Sequence, residues 1–555
     1  MANKHLFDTR AAHSTSNVPV ADTVNLAGGV AYEFTPRHAL AQYATTGCLN
    51  DTYYADAKTQ LLEVLNLCKS VDPEFIGKTA VYARQGHMKD MPALLCCALA
   101  ARPDGLDVLA RVFPIVMDSG KMIRNFCQVI RSGQVGRKSF GRALKRLIRS
   151  WLSRQTDDGL FRQSVGNDPS IADVIAMVHP KPANRHQEAL YAYLLGKETG
   201  TEPGKLRRRY LPALIKQYEA FKDACRDSRR AADMAVIPDV PFQMLASLDI
   251  GPAVWTEIAR NASWQTTRMN LNTFARHDVF KQPDMIGLLA ARLRDPEEVK
   301  RARVFPYQLL VAFLNTDESV VPREIRDALQ DAMELAVSNV PVVDGQVYVL
   351  PDVSGSMRSA VTGTREGATS KVRCVDVAAL VAASFLRRNP KTVVVPFEQD
   401  VVDLPLNARD SIMTNAEKLA SVGGGGTCCS APLALLNRQG ARGDLVVYCS
   451  DNESWINPER DQLYANYWGG RGGSGTSTMQ EWQRFHQRNP QARLVCIDVT
   501  PNRTTQATGK DHPEILNVGG FGDQVFDVIR DFCQGDLGPG RWVQRINEIV
   551  LPEKA

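Results

Sequence analysis

A chain of 555 residues, 44% hydrophobic and 23% charged, exceeds what one hydrophobic core usually supports, so two or more domains are expected. The formal charge of +5 is uneven, because residues 1–340 carry 44 Lys and Arg against 37 Asp and Glu while the remainder carries 22 against 24. No apolar run is long enough to span a membrane, and twelve scattered cysteines without a C-x-x-C pair argue against a zinc ribbon or a disulfide framework.

The start, MANKHLFDTRAAHSTSN, is polar and lacks the apolar stretch of a secretory signal. A mobile tail over residues 1–21 and a cytoplasmic protein with reduced, mostly buried thiols are the expectation. From about Thr35 to Asn339 apolar residues recur at spacings of three and four, as in AKTQLLEVLNLCKSV, PALLCCALAAR and REIRDALQDAMELAVSNV. Such periodicity predicts amphipathic helices, punctuated by prolines. Helix after helix with no convincing alternating strand suggests an α-solenoid or superhelical array.

Within this part, no acidic residue occurs between Ser119 and Thr156. The stretch carries Lys121, Arg124, Arg131, Arg137, Lys138, Arg142, Lys145, Arg146, Arg149 and Arg154. In GRALKRLIRSW the spacing of Leu144, Leu147, Ile148 and Trp151 predicts a buried stripe that leaves the cations facing water. Ordinary solvated faces mix both signs, so this segment is a platform for phosphates, with a merely solubilising face as the rival. Lys205, Arg207, Arg208 and Arg209 form a weaker cluster. His179, before Pro180-Lys181-Pro182, is on position alone a helix C-terminal cap.

Near residue 342 the texture changes. Strands are predicted at 347–353, 392–397, 444–450 and 493–500, and helices at 374–388, 411–421, 430–438, 479–488 and 523–534. The alternation argues a parallel sheet with helices on both faces. The loop Asp352-Val353-Ser354-Gly355-Ser356 directly follows the first strand, where open α/β sheets bind ligands. One carboxylate and two hydroxyls in one turn suit a hard cation such as Mg²⁺, which prefers oxygen ligands. Thr427, after four glycines, and the strand-terminal Asp451 complete the candidate site. Pro351 inside the preceding strand removes a ladder donor.

Strand, D-x-S-x-S loop, Gly-Thr loop and strand-terminal Asp in this order resemble the metal-ion-dependent adhesion site of von Willebrand A domains. That resemblance implies Ser354, Ser356 and Thr427 as direct ligands, with Asp352 and Asp451 acting through water. More widely, FTPRHALAQYATTGCLNDTYYADAK, GRALKRLIRSW, HPKP, FPYQLLVAF, DVSGS, GGGGT, SDNE and GFGDQVFDVIRDF, in this order over residues 22–535, resemble the Ro ribonucleoprotein family, which joins a TROVE module to a von Willebrand A domain. The fold implied is an α-helical toroid of HEAT-like repeats over residues 22–341. A doubly wound, Rossmann-like α/β von Willebrand A domain over 342–555 would close it.

By the same resemblance the outer surface would hold Y-like noncoding RNA and the central hole the single-stranded ends of misfolded RNA. The protein would serve noncoding RNA quality control or degradation, with an exoribonuclease as a further partner and neither DNA nor membrane involved. His179 falls on the family's Y-RNA-contacting histidine, Arg142, Lys145 and Arg146 on its basic helix, and Arg162 on a basic position matched only approximately. Three departures stand out: Cys428 where an Asp is common, L-P-D-V-S-G-S for the metal loop, and an insert at 456–477. No nucleophile elbow, Walker A or H-E-x-x-H pattern is present, so the expectation is a non-enzyme. The alternatives are a metal-dependent protein-interaction scaffold without RNA and a metal-dependent nuclease, the latter disfavoured by a hydroxyl-rich site.

Overall fold

The computed structural model describes residues 18–196, 209–229, 233, 235–302, 306–365, 371–456, 475–520, 522–534 and 541–553. The chain forms two compact units. Met1–Gln42, Asn50–Asp56 and Asn339–Trp542 make the first, and Tyr43–Leu49, Ala57–Ser338 and Val543–Ala555 the second. This division differs from one linear cut near 341 because both chain ends cross over. Among the described residues no helix is long and apolar enough to cross a membrane.

Among the described residues eight short strands, all in the first unit, organise it: β1 (Thr23–Val24), β2 (Val30–Glu33), β3 (Val347–Pro351), β4 (Thr392–Val394), β5 (Leu445–Ser450), β6 (Arg493–Asp498), β7 (Thr504–Thr505) and β8 (Ile515–Gly519). Five of them form a parallel sheet in the order β4-β3-β5-β6-β8. Strands buried on both faces read as nearly continuous apolar runs, and every residue of β3 and β5 is buried. Tyr348, Leu350, Val446, Tyr448, Leu494 and Cys496 point to one side, where Leu433, Leu436, Trp482 and Phe485 cover them. Helices Cys374–Arg388 and Asp523–Cys533, joined by Phe385 against Phe526, are on the other. The predicted strands and helices of this region are all present, with ends shifted by a few residues.

Pro351 is the last residue of β3, so its missing donor costs the ladder little. Its carbonyl accepts from the Phe397 amide (3.1 Å), and the Asp352 amide resumes pairing with Cys449 O (3.0 Å). Strands β1, β2, β7 and β8 have no counterpart among the predicted elements. The first two form a hairpin whose turn is closed by Asn25 Oδ1 accepting from the Gly29 amide (2.7 Å), and β2 pairs antiparallel with β7. Val18 and Ala21 pack on the sheet core and Pro19 O accepts from the Tyr32 hydroxyl (2.7 Å). Residues 18–21 are therefore integral to the unit, unlike the expected tail; residues 1–17 lie outside the described set.

Every regular element among the described residues of the second unit is a helix. Helix Asp90–Ala101 is buried from Met91 to Ala100, including Cys96 and Cys97, as a helix apolar all round must be. The C-terminal segment also belongs here: Arg111 Nε donates to Pro552 O (2.9 Å) and Lys78 Nζ to Asn547 O (2.5 Å), and Leu551 is buried.

In the first unit His38 stacks on Phe34 (4.1 Å between centroids) and meets Trp542 edge-on (5.4 Å). Its Nε2 is sealed from solvent with no partner among the described residues, and burial pushes the imidazole down to about 3. A histidine depressed in the folded state takes up its proton more readily when unfolded, so stability falls as pH drops from about 6.5. His38→Phe is expected to flatten the acid limb of the thermal melting curve measured from pH 7 to pH 4; an unaltered limb would contradict the assignment.

Candidate functional site

The sheet order reverses between β3 and β5: the chain passes from β3 outward to β4, then back to β5 on the other flank. Loops leaving these two strands face a crevice at the carboxyl edge, where open α/β sheets bind ligands. Asp352 leaves β3 fully buried. Its Oδ1 accepts from the Ser354 amide (2.9 Å) and its Oδ2 from the Ser450 hydroxyl (2.6 Å). The Ser354 and Ser356 hydroxyls stand 3.4 Å apart.

The glycine run is stitched to this loop by Gly355 N to Gly425 O (2.8 Å) and Gly424 N to Val353 O (2.9 Å). Side chains would prevent that approach. Gly423 has φ +78, and a Cβ there would lie 2.3 Å from Val353 O; one at Gly426 would lie 2.3 Å from Ile456 Cδ1. Thr427 follows, 1% exposed, its carbonyl accepting from the Trp455 and Ile456 amides (both 3.1 Å). Asp451 ends β5, buried, with Oδ1 accepting from the Glu453 amide (3.3 Å). All five predicted metal-site residues are thus buried at one edge of the sheet.

Burial, followed by the charge of Asp451, pushes the Asp352 carboxyl up to about 7 against the pull of Ser354 and Ser450. Burial likewise raises Asp451, with Ser356 opposing. Burial and then Asp451 push Glu453 up to about 8. Asp498, at the end of β6, is raised well above the carboxylate range by burial and then by Glu453 and Asp451. Glu453 Oε2 accepts from the Ala27 amide (3.0 Å), yet its Oε1 is buried with no hydrogen-bond partner among the described residues. Among the described residues no three His, Cys, Asp or Glu side chains converge as a ligand group. A cation here would therefore be held by the hydroxyls of Ser354, Ser356 and Thr427, with buried carboxylates behind them. That donor set fits a hard divalent ion.

Several of these groups escaped the sequence reading. Asp498 carried the same signal as Asp451, an acid closing an apolar strand. Ser450, Glu453 and Tyr54 stand inside the motifs SDNE and NDTYYADAK, but nothing in their spacing assigned them to the site. Cys428 is buried, with Sγ 3.4 Å from Ser430 Oγ.

In the helical unit the acid-free stretch forms helices Gly120–Ser132 and Arg142–Arg154. The latter buries Leu144, Ile148, Trp151 and Leu152; Leu147 is only half-buried, so the stripe runs one residue further than expected. Lys121, Lys138, Arg142, Arg146 and Arg149 are exposed, and Arg124, Arg137, Lys145 and Arg162 half-buried. Among the described residues no acidic side chain pairs with Lys138, Arg142, Lys145 or Arg146.

Other cations are committed. Arg162 is ion-paired with Asp239 (2.7 Å), and Arg137 donates to Ala100 O (2.7 Å) and Ser139 O (2.9 Å). Arg124 donates to Gly120 O (3.3 Å). Arg149 Nε donates to Val178 O (2.6 Å) at the end of helix Ile171–Val178, which sets the basic helix beside exposed His179. His179 does cap that helix, left-handed at φ 51, through its amide to Ile175 O (2.9 Å). Lys205, Arg207 and Arg208 lie outside the described residues, as does most of the insert at 456–477.

Sheet, crevice and hydroxyl-bearing loop define a von Willebrand A-type domain, carried with an α-helical unit on one chain. Residues 346–463 match the Ro60 vWA domain, and the chain as a whole is similar to the Ro proteins, as its motifs suggested. It is 24% identical over 540 residues to the RNA-binding protein RO60 of Deinococcus radiodurans, covering 92% of this chain and 95% of that one. A shorter stretch of 176 residues, 30% of this chain and 26% of the relative, is 25% identical to the RNA-binding protein RO60 of Caenorhabditis elegans. The crystal structure of the Deinococcus radiodurans Ro protein shares the fold with a TM-score of 0.60 at 19% identity, over 91% of this chain and 100% of that one.

Ser450 also accepts from the Asn452 amide (2.9 Å), so Ser450→Ala strips two buried groups of a partner. Urea unfolding is expected to show a loss of about 1–3 kcal/mol; a neutral result would mean the Asp352 bond is dispensable.

Proposed function

We propose that the protein is a non-catalytic RNA-binding scaffold. The observation that carries this reading is the row of exposed or half-exposed cations, Lys138, Arg142, Lys145 and Arg146, without acidic partners on and beside helix Arg142–Arg154. Phosphates displacing counterions from such a surface gain affinity that depends steeply on salt. Arg149 holds the neighbouring helix end and so positions His179 at the margin of the basic surface. The names of the Deinococcus and Caenorhabditis relatives support RNA as the ligand.

The finer reading is a Y-like noncoding RNA on this surface and single-stranded ends of misfolded RNA as a second ligand, in cytoplasmic RNA quality control or degradation with an exoribonuclease. Lys121, Arg124, Arg137 and Arg162 are secondary contributors, since Arg162 must exchange Asp239 for phosphate and Arg137 already serves two carbonyls.

The crevice is proposed to take a divalent cation of the Mg²⁺ type. Ser354, Ser356 and Thr427 would hold it directly, and Asp352 and Asp451 through water. The ion would supply a positive centre able to bind an external acidic group. Asp352 has both oxygens in hydrogen bonds, which disfavours it as a direct ligand of the kind two-metal nucleases recruit.

Charge reversal at Lys145 and Arg146 together is expected to weaken binding of a structured RNA at least about tenfold. The slope of log affinity against log salt should fall by about two. Electrophoretic shifts across a salt series measure both, and an unchanged affinity would sink the RNA reading. Millimolar Mg²⁺ is expected to raise the melting temperature of the wild-type protein but not of Ser354→Ala; equal shifts in both would place the ion elsewhere.

A further inference from the structure

The glycine run that carries Thr427 has no side chains to anchor it, and glycine surrenders the most backbone freedom on ordering. Gly423, Gly424 and Gly425 are exposed, so core packing does not fix them. Two side chains of opposite charge hold the run instead. Arg358, in the turn Ser356–Arg358, donates through Nη2 to Gly423 O (2.9 Å) and Val422 O (3.3 Å). Glu398, just beyond the edge strand β4, accepts from the Gly425 amide through Oε2 (2.6 Å). Its own carbonyl accepts from the Cys428 amide (2.8 Å). One residue therefore grips the chain on both sides of Thr427.

Glu398 is also tied to the metal loop. Phe397, directly before it, donates its amide to Pro351 O (3.1 Å) and accepts from the Val353 amide (2.9 Å), bracketing Asp352. Gly425, held by the carboxylate, passes its carbonyl to the Gly355 amide (2.8 Å), between Ser354 and Ser356. The contact leaves no spare room: a Cβ on Gly425 would meet Glu398 Oε2, Cδ and Oε1 at 2.9, 3.0 and 3.1 Å, its three nearest atoms. A carboxylate accepting from a backbone amide makes a charge-assisted bond, stronger than a neutral one.

We propose that Glu398 is a positioning residue of the cation site: it holds the Gly-Thr loop so that Thr427 stands in register with the Ser354 and Ser356 hydroxyls. Mg²⁺ demands near-ideal octahedral geometry, so a loop released from Glu398 offers Thr427 at a cost in affinity. This inference rests on the metal-site reading above, and adds a residue that neither binds the ion nor reaches it through water.

Calorimetric titration of the full-length protein with Mn²⁺ tests it. Glu398→Ala is expected to bind about tenfold more weakly, the lower end of what supporting hydrogen bonds contribute at metal sites. Glu398→Gln keeps an oxygen for the Gly425 amide without the charge, and should recover most of that loss. Gly425→Ala should weaken binding by displacing the carboxylate, yet cost nothing further in the Glu398→Ala background. Wild-type affinity in Glu398→Ala, with binding lost in Ser354→Ala, overturns the positioning role and leaves the metal site standing. Glu398→Gln as weak as Glu398→Ala also overturns it, since the carboxylate would then act by its charge; so would additive losses in the double variant. No saturable binding by wild type removes the metal-site reading, and this inference with it.

Discussion

Carboxylates held almost without water at the carboxyl edge of a parallel sheet are the constraint around which the α/β unit is arranged. Asp352, Asp451, Glu453 and Asp498 are each no more than 2% exposed; burial raises the pKa of all four, and the charge of neighbouring carboxylates adds to it at Asp352, Glu453 and Asp498. Buried charges of one sign are costly unless something neutralises or hydrogen-bonds them. The first unit recruits distant chain for this. Gln42 donates to Asp498 (2.8 Å), the β1–β2 turn gives the Ala27 amide to Glu453, and Ser450 serves Asp352. The β1–β2 hairpin and Gln42 thus supply hydrogen bonds to carboxylates that lie more than 400 residues further along the chain.

The helical unit presents the opposite electrostatic situation. The cations of the run from Ser119 to Thr156, which contains no acidic residue, are exposed or half-buried, and among the described residues no acidic side chain pairs with Lys138, Arg142, Lys145 or Arg146. Just past the run, Arg162 is paired with the distant Asp239, whereas elsewhere in the unit cations meet acids three residues away, as Lys222 does Glu219 and Arg226 does Asp223. Others are spent on carbonyls that end helices, as Arg149 is at Val178. A surface built this way sorts its cations into those that hold the scaffold and those left to meet an anion.

The sequence was most legible where local physics decides. Apolar runs buried on both faces made β3, β5 and β6 and their helices plain; the D-x-S-x-S loop and Asp451 were found at strand ends, and Thr427 behind its four glycines. The hairpin β1–β2 and strand β8 were missed for a physical reason. Thr23–Val24 and Val30–Glu33 are too short for a period to show, and Ile515–Gly519 carries an Asn and a Gly that pass as loop; Asn517 is in fact bound by Thr505 Oγ1 (2.8 Å). Domain limits failed similarly, because Val18–Ala21 and Leu551 are held by contacts with residues hundreds of positions away.

By itself, then, the sequence determined the succession of helices, the one-signed basic stretch and the oxygen-rich loop after an apolar strand, since periodicity, composition and spacing are properties of neighbours. Only the tertiary structure decided which cations remain available, that Ser450, Glu453, Asp498 and Tyr54 surround the loop, and which unit each chain end joins. Those outcomes depend on hydrogen bonds and burial between residues far apart in the chain, and no local pattern encodes them.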